Sequence, residues 1–295
     1  GLSRVGESWE LSGMPGSESV VAEGPWAGST LSELIGRFGA ELLGKANYAR
    51  FGQEFPLLVK FIDAREDLSI QVHPDDELAR KRHGKSGKCE MWYVLEAEPG
   101  ASLLTGFSRP IAPAEYERRV ADNTLTDVLN RQAIASGDVF YLPAGRVHSI
   151  GKGSFIVEIQ QSSDITYRIY DFDRRDAAGN SRELHTELAR EAIDFESSEN
   201  SRITYAPENN QEVRLVTTPY FTTSLYTLTA RTRCDWSATD SFVAIVLLQG
   251  SGSLTDNEGN RIDVRQGETW LLPASTQWTE ITPHTAPLRL LTSRI

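Results

Sequence analysis

A twelve-residue unit occurs twice in this chain, some 130 residues apart. Gly137 to His148 reads as a glycine, five intervening residues, Pro143, then Gly145 and His148; Gly267 to Trp278 repeats the spacing with Ser275 and Trp278 in the last two places. Each copy is a turn, a short buried strand (Val139-Phe140-Tyr141-Leu142 in the first) and a second turn. Two copies at this separation predict two related β-domains, built from many short strands as barrels or double-sheet jelly rolls. The first copy ends in a histidine, which can bind a metal; the second has lost it.

The length of 295 residues is enough for two domains with sizeable cores. A net charge of −11 and a pI near 5.0 exclude a nucleic-acid partner, because phosphate backbones need a basic surface. A small anionic substrate would need a local basic pocket. Two cysteines, Cys89 and Cys234, make no disulfide framework and fit a reducing compartment. No apolar run has the length to cross a bilayer and no signal peptide is evident, so the expectation is a cytoplasmic protein without a membrane partner.

Residues 1–28 read as short strands and turns. Leu31, Leu34, Ile35, Phe38, Leu42 and Leu43 recur at helical spacing behind a Ser29/Thr30 cap and stop at Gly44. Phe55 to Ile62 is a strand-length apolar run carrying Lys60, which must reach water, an anion or a carboxylate. A short helix is expected to start at Pro74, with Asp75, Asp76 and Glu77 in its first turn. Residues 111–132 and Glu187 to Ile193 also look helical. The polar run Glu196 to Ser201 is the candidate linker, giving domains at 1–195, with helical insertions, and 196–295.

Three strand-like stretches carry the chemistry. In Leu68 to Pro74, alternation puts Ser69, Gln71 and His73 on one face and Ile70 and Val72 on the other. In Gly87 to Leu95, Lys88, Glu90 and Trp92 share a face. From Phe155 to Tyr170, Glu158, Gln160, Ser162, Asp164, Thr166 and Arg168 fall on one parity, unless a bulge intervenes. Singly, each polar residue reads as an exposed strand or loop position. Together, Gln71, His73, Glu90 and His148 form a set of imidazole, carboxylate and amide donors that suits Zn²⁺, with iron or manganese as weaker fits. The lack of thiolate ligands favours an open, Lewis-acid site over a closed structural one.

The first repeat resembles the second conserved motif of the cupin superfamily, and the second resembles a decayed copy, with Trp278 expected to fill its barrel. The implied fold is mainly β: two cupin-type jelly-roll β-barrels in tandem with a few short helices, the second barrel lacking metal ligands. More specifically, the chain resembles the type I mannose-6-phosphate isomerases in their short bacterial two-cupin form. The matching stretches are Val5 to Glu10, Phe55 to Lys60, Ser69 to Asp76, Gly87-Lys88 through Glu90 to Tyr93, Pro143 to His148, Glu158 to Gln161 and Thr166 to Asp171.

That resemblance implies one Zn²⁺ per chain on Gln71, His73, Glu90 and His148, and a phosphosugar substrate, mannose 6-phosphate, interconverted with fructose 6-phosphate through an enediol. It places Arg168 beside the sugar, Lys88, Glu158 and Asp164 at further active-site positions, and Ser69 near the phosphate. Arg174 and Lys152 are weaker phosphate candidates. Glu158, Asp164 and a zinc-bound water or hydroxide all remain open as the group that takes the carbon-bound proton. Rival readings are an iron-dependent cupin enzyme and a non-catalytic sugar-binding bicupin; a monomer and a homodimer fit equally. Two positions depart from the family pattern. Cys89 replaces a common threonine and should point away from Glu90. The family's opening W-G-G strand has no counterpart ahead of Gly6-Glu7-Ser8-Trp9, which bears on the completeness of the first sheet and one wall of the site.

Overall fold

A computed structural model describes residues 6–175, 178–196 and 200–295. Val5 and residues 197–199 of the candidate linker therefore lie outside the described residues. The chain is mainly β and divides into two compact units. One joins the segment ending at Ser8 to Val59–Ile203; the other joins Trp9–Leu58 to Thr204–Ile295.

This division departs from the expected cut for residues 9–58, which pack with the C-terminal strands. Backbone N–H groups of Lys45 and Ala46 donate to the Asp240 carboxylate at 2.7 and 3.0 Å, and the Phe55 and Phe242 rings lie 4.7 Å apart. Gly44, at φ 93°, is required there: a Cβ would come within 2.1 Å of the Asp240 carbonyl oxygen.

The six-stranded sheet, four of whose strands lie wholly in the first unit, runs in the order Glu7–Ser12, Leu57–Ala64, Ser154–Gln161, Glu90–Ala97, Val139–Leu142, Arg202–Ile203. The five-stranded sheet runs Tyr167–Tyr170, Ile70–Val72, His148–Ile150, Ser102–Phe107, Leu129–Ala133. The inner faces of both meet in a core of Ile62, Trp92, Val94, Leu103, Phe140, Leu142, Ile150 and Ile156. The outer face of the five-stranded sheet is covered by the helices Asp76–His83, Pro113–Ala121 and Thr186–Ala192, through Ala79, Tyr116 and Ala189 packed with Ile70, Val72, Tyr167 and Ile169. The outer face of that sheet is thus covered, and the buried polar residues of its inner face, Thr105 and His148, need partners inside the protein.

Helix starts follow local chemistry. Thr30 and Glu33 form a capping box at Leu31–Phe38, and the helical pattern then breaks at Gly39 before resuming over Ala40–Leu43. Asp75, rather than Pro74, caps the next helix by accepting the Leu78 N–H at 2.8 Å. The expected helix over 111–132 stops at Ala121; a 3₁₀ turn spans Leu125–Val128, and Leu129–Ala133 is an edge strand.

In the second unit a sheet of Glu212–Thr217, Thr222–Leu228, Leu288–Arg294, Val243–Gln249 and Thr269–Leu272 shares a core with one of Thr232–Asp235, Trp278–Pro283, Ser251–Asp256 and Arg261–Arg265. All four sheets are open among the described residues, so neither unit is a closed hydrogen-bonded barrel. Trp278 does not fill the interior. Pairing of Asp235 with Trp278 and Cys234 with Thr279 turns Thr279 and Ile281 inward, leaving Trp278 on the outer face beneath the Arg233 guanidinium, 4.1 Å from its ring centroid.

Candidate metal centre

Strand pairing alone assembles a polar row across the inner face of the five-stranded sheet. Arg168 lies opposite Gln71, Gln71 opposite His148, and His148 opposite Thr105. On the facing sheet Glu90 lies opposite Gln160, and Trp92 opposite Glu158. His73 follows the strand that carries Gln71 and is buried, as are Glu90 and His148.

The three ionisable groups converge. His73 Nε2 is 3.5 Å from Glu90 Oε2, and His148 Nε2 is 3.2 Å from Glu90 Oε1. Their ligating atoms all lie within 4.8 Å of one another. Each imidazole is oriented from behind: His73 Nδ1 donates to the Ile165 carbonyl at 2.8 Å, and His148 Nδ1 to the Arg146 carbonyl at 2.8 Å. A proton on Nδ1 leaves a lone pair on each Nε2 pointing at the carboxylate. Burial, reinforced by the Lys88 ammonium, pulls His73 down to about 4, and burial lowers His148 as well, so both rings are neutral near pH 7. Burial alone would raise the Glu90 carboxyl; the Lys88 ammonium together with the two imidazoles outweighs it and holds Glu90 ionised.

Two lone pairs therefore face an anionic carboxylate, and His73 Nε2 and Glu90 Oε1 have no hydrogen-bond partner. Buried acceptors so arranged cost free energy unless a cation joins them. A divalent ion fits this donor set, and nitrogen and oxygen donors with carbonyl-braced imidazoles are the pattern such ions take. Gln71 stands beside the cluster, its amide nitrogen 3.3 Å from His148 Nε2 and its oxygen 3.4 Å from the Ser69 hydroxyl. Exchanging the two ends of the amide would turn its oxygen toward the centre.

A buried chain of alternating charge supports the cluster. Lys88 Nζ is 2.9 Å from Glu90 Oε2 and 3.8 Å from Glu158 Oε1; Lys60 Nζ reaches the same Glu158 oxygen at 3.2 Å. The Trp92 indole N–H donates to Glu158 Oε2 at 2.9 Å. Burial would lower Lys88, but Glu158 and Glu90 more than compensate, so it remains an ammonium ion.

Other expected site residues are placed differently. Ser69 is buried, and its hydroxyl lies 3.3 Å from Arg168 Nε. Arg174 pairs with Asp171. The expected single alternation from Phe155 to Tyr170 is broken: Ser154–Gln161 belongs to one sheet and Tyr167–Tyr170 to the other. Gln160 Nε2 donates to the Gln161 and Ser163 carbonyls and fixes the crossover between them. Asp164 sits on that crossover, half-exposed and paired with Lys85 at 2.9 Å, and is not one of the three converging groups. Lys152 lies in an exposed turn, its backbone N–H bonded to Asp67. Cys89 points away from Glu90, its Sγ accepting from the Ala144 N–H at 3.3 Å. Lys60 and Trp92 were not singled out as site residues from sequence. A lysine inside an apolar strand was the signal for the first, and shared parity with Glu90 for the second.

Facing antiparallel sheets around two histidines and a carboxylate define a candidate metal-dependent enzyme of double-sheet β fold. Residues 3–105 match the family model described as phosphomannose isomerase type I, catalytic domain. A mannose-6-phosphate isomerase of Streptococcus mutans is 35% identical over 91% of this chain and 83% of its own length. A probable mannose-6-phosphate isomerase of Bacillus subtilis is 35% identical over 92% of this chain and 84% of its own. The crystal structure of a Bacillus subtilis mannose 6-phosphate isomerase superposes with a TM-score of 0.87 at 31% identity, covering 98% of this chain and 90% of the other. The chain belongs to the type I phosphomannose isomerases and is an isomerase.

Proposed function

We propose that the chain is a zinc-dependent aldose–ketose isomerase interconverting mannose 6-phosphate and fructose 6-phosphate through an enediol, with one Zn²⁺ held by Gln71, His73, Glu90 and His148. The observation that carries this reading is the inward convergence of two neutral imidazole lone pairs on a buried carboxylate, with His73 Nε2 and Glu90 Oε1 unpartnered. Nitrogen and oxygen donors without thiolate favour Zn²⁺ in an open site. When bound, the ion supplies Lewis-acid stabilisation to sugar oxygens on which negative charge develops.

The chain's own residues do the rest. Arg168, next to Gln71 across the strand pair, presents a permanent positive charge at the edge of the centre and stabilises enediolate charge from that side. Lys88 helps keep Glu90 ionised and adds a second positive charge to the centre. Both Glu158 oxygens are engaged, one by Lys60 and one by Trp92, which suits a charge-balancing role more than proton transfer. Asp164, exposed and held by Lys85, is given no part in the chemistry. Ser69 and Arg174 take the phosphate. We read each pair of sheets as a cupin-type jelly roll, the second without ligands. Buried free cysteines, Cys89 and Cys234, suit a cytoplasmic setting.

A coupled assay with mannose 6-phosphate, run on metal-loaded and chelator-treated protein, tests the reading. Turnover that disappears with the metal and returns with added Zn²⁺ is expected; full turnover by metal-free protein, or none by loaded protein, overturns it.

A further inference from the structure

Beyond Arg168 the strand Tyr167–Tyr170 runs into a turn built around one carboxylate. Asp171 is 5% exposed and is gripped by two guanidinium groups. Arg182 Nε donates to its Oδ2 at 2.7 Å, and both Arg182 Nη2 and Arg174 Nη2 reach its Oδ1. Arg174 Nε also donates to the Asp171 carbonyl at 3.3 Å. The next two residues, Phe172 and Asp173, both hold φ at 53°, a conformation non-glycine residues adopt only when the surroundings enforce it.

The returning segment is tied to Arg168. His185 N–H donates to the Arg168 carbonyl at 2.7 Å, Arg168 N–H to His185 Nδ1 at 3.2 Å, and Arg168 Nη1 to the Glu183 carbonyl at 3.3 Å. Arg174 and Arg182 both bond Asp171, three residues beyond Arg168, which puts the three cations in one neighbourhood; burial, then the field of Arg182, depresses the Arg168 guanidinium. Asp171 neutralises only one of those three charges. In a chain with net charge −11, this is a locally cationic cluster next to the strand that carries Gln71.

We propose that Asp171 is a built-in stand-in for a phosphate group, and that Arg182, with Arg174, forms a clamp that transfers from the Asp171 carboxylate to the phosphate monoester of the substrate. The assignment of Arg182 rests on the phosphosugar reading above. A carboxylate presents two oxygens to a guanidinium fork, as a phosphate does, so it holds the fork in geometry for the larger anion. A phosphate dianion satisfies more of the surplus positive charge than one carboxylate, which gives the exchange its direction. Arg182 is thus a specificity residue: it binds the far end of the substrate and takes no part in proton transfer.

The test titrates inorganic phosphate calorimetrically into metal-loaded wild type, Arg182→Ala, Arg182→Lys and Asp171→Asn, alongside steady-state kinetics with mannose 6-phosphate. In Arg182→Ala, phosphate binding weakens about tenfold or more and KM rises in step while kcat changes little, as loss of a charged, forked contact requires. Arg182→Lys falls between, and Asp171→Asn binds phosphate more tightly because the competing anion is gone. Unchanged phosphate affinity in Arg182→Ala, with or without a lowered melting temperature, overturns the proposal and leaves Asp171 as a pin for the turn. If Arg182→Ala does not fold, Asp171→Asn decides: phosphate affinity equal to or weaker than wild type overturns it. Calorimetric weakening with unchanged KM would assign the clamp to free phosphate and refute its substrate role. Wild type that binds phosphate but shows no isomerase turnover would count against the phosphosugar reading alone, since the calorimetric arm still reads the clamp.

Discussion

The two units carry the same turn-strand-turn device and do opposite things with its inner face. Gly137 and Gly267 open the device at φ 91° and 86°, and strands follow at Val139–Leu142 and Thr269–Leu272. Each then enters the facing sheet, at His148 and at Trp278. In the first unit His148 points inward to Glu90 and stands edge-on to Trp92, 5.4 Å between ring centroids. In the second, the residue after the aromatic is the inward one: Thr279 accepts from the Trp236 indole, and Val243, Ile245, Leu247 and Ile281 fill the space. A one-residue change of facing exchanges the whole inner set of a strand. The lesson is that holding a ligand depends on facing as well as residue identity. The second unit fills this interior with hydrocarbon, whereas the first keeps buried polar groups that need a cation.

The difference can be broken or sharpened by experiment, beginning with the largest effect. Glu90→Ala removes the anion that collects both imidazoles and Lys88; turnover and metal binding are expected to vanish together. Its effect on folding should reach about 3–5 kcal/mol, the usual result of leaving one partner of a buried ion pair. Amide exchange should report the loss around Ile70–Val72 and His148–Ile150, with the second unit's strands protected as in wild type. Loss of protection spread equally over both units would contradict the division of labour.

Arg168→Ala leaves the ligands untouched and should retain metal and fold. Removing one preorganised charge from the reacting region lowers kcat about a hundred- to a thousandfold. Wild-type kcat in this variant would remove the arginine from the chemistry.

Ile245→Ala probes the other interior. The side chain is fully buried in the second core, so the substitution should cost about 2–5 kcal/mol in denaturant unfolding and leave kcat and KM unchanged in native buffer. A fall in kcat at full folding would show that the second unit supports the site more directly than its apolar core implies.

The smallest effect belongs to Trp278→His, which restores the lost histidine by sequence. Because position 278 faces outward under Arg233, no additional metal should bind. The cation–π contact and some contact area of this partly buried ring are lost, worth about 0.5–2 kcal/mol. Uptake of a second equivalent of metal would show that the inner and outer faces had been misassigned.

Much of the centre is legible in the residues because strand alternation is a strict rule. Ser69, Gln71 and His73 on one face, and Glu90 with Trp92 on another, follow from period two and are what pairing brings together. Three kinds of feature were not legible. Asp164 has the parity of Glu158, but alternation holds only within a strand, and a crossover braced by Gln160 separates the two. Trp278 occupies the histidine's place in the repeat, but spacing does not report which face a strand presents when it re-enters a sheet. The grouping of residues 9–58 with the C-terminal strands was equally hidden, since it depends on long-range contacts such as Lys45 and Ala46 with Asp240. Of the helix starts, the Thr30 cap is legible, whereas the start expected at Pro74 falls after an Asp75 cap.

The most direct measurement is the divalent-metal content of the purified chain, taken beside that of His73→Ala/His148→Ala. The wild type should hold about one Zn²⁺ per chain and the double variant essentially none, as a site of two imidazoles and one carboxylate requires. Equal metal content in the two proteins, or wild type that takes up no divalent ion when Zn²⁺ is supplied, would contradict the account.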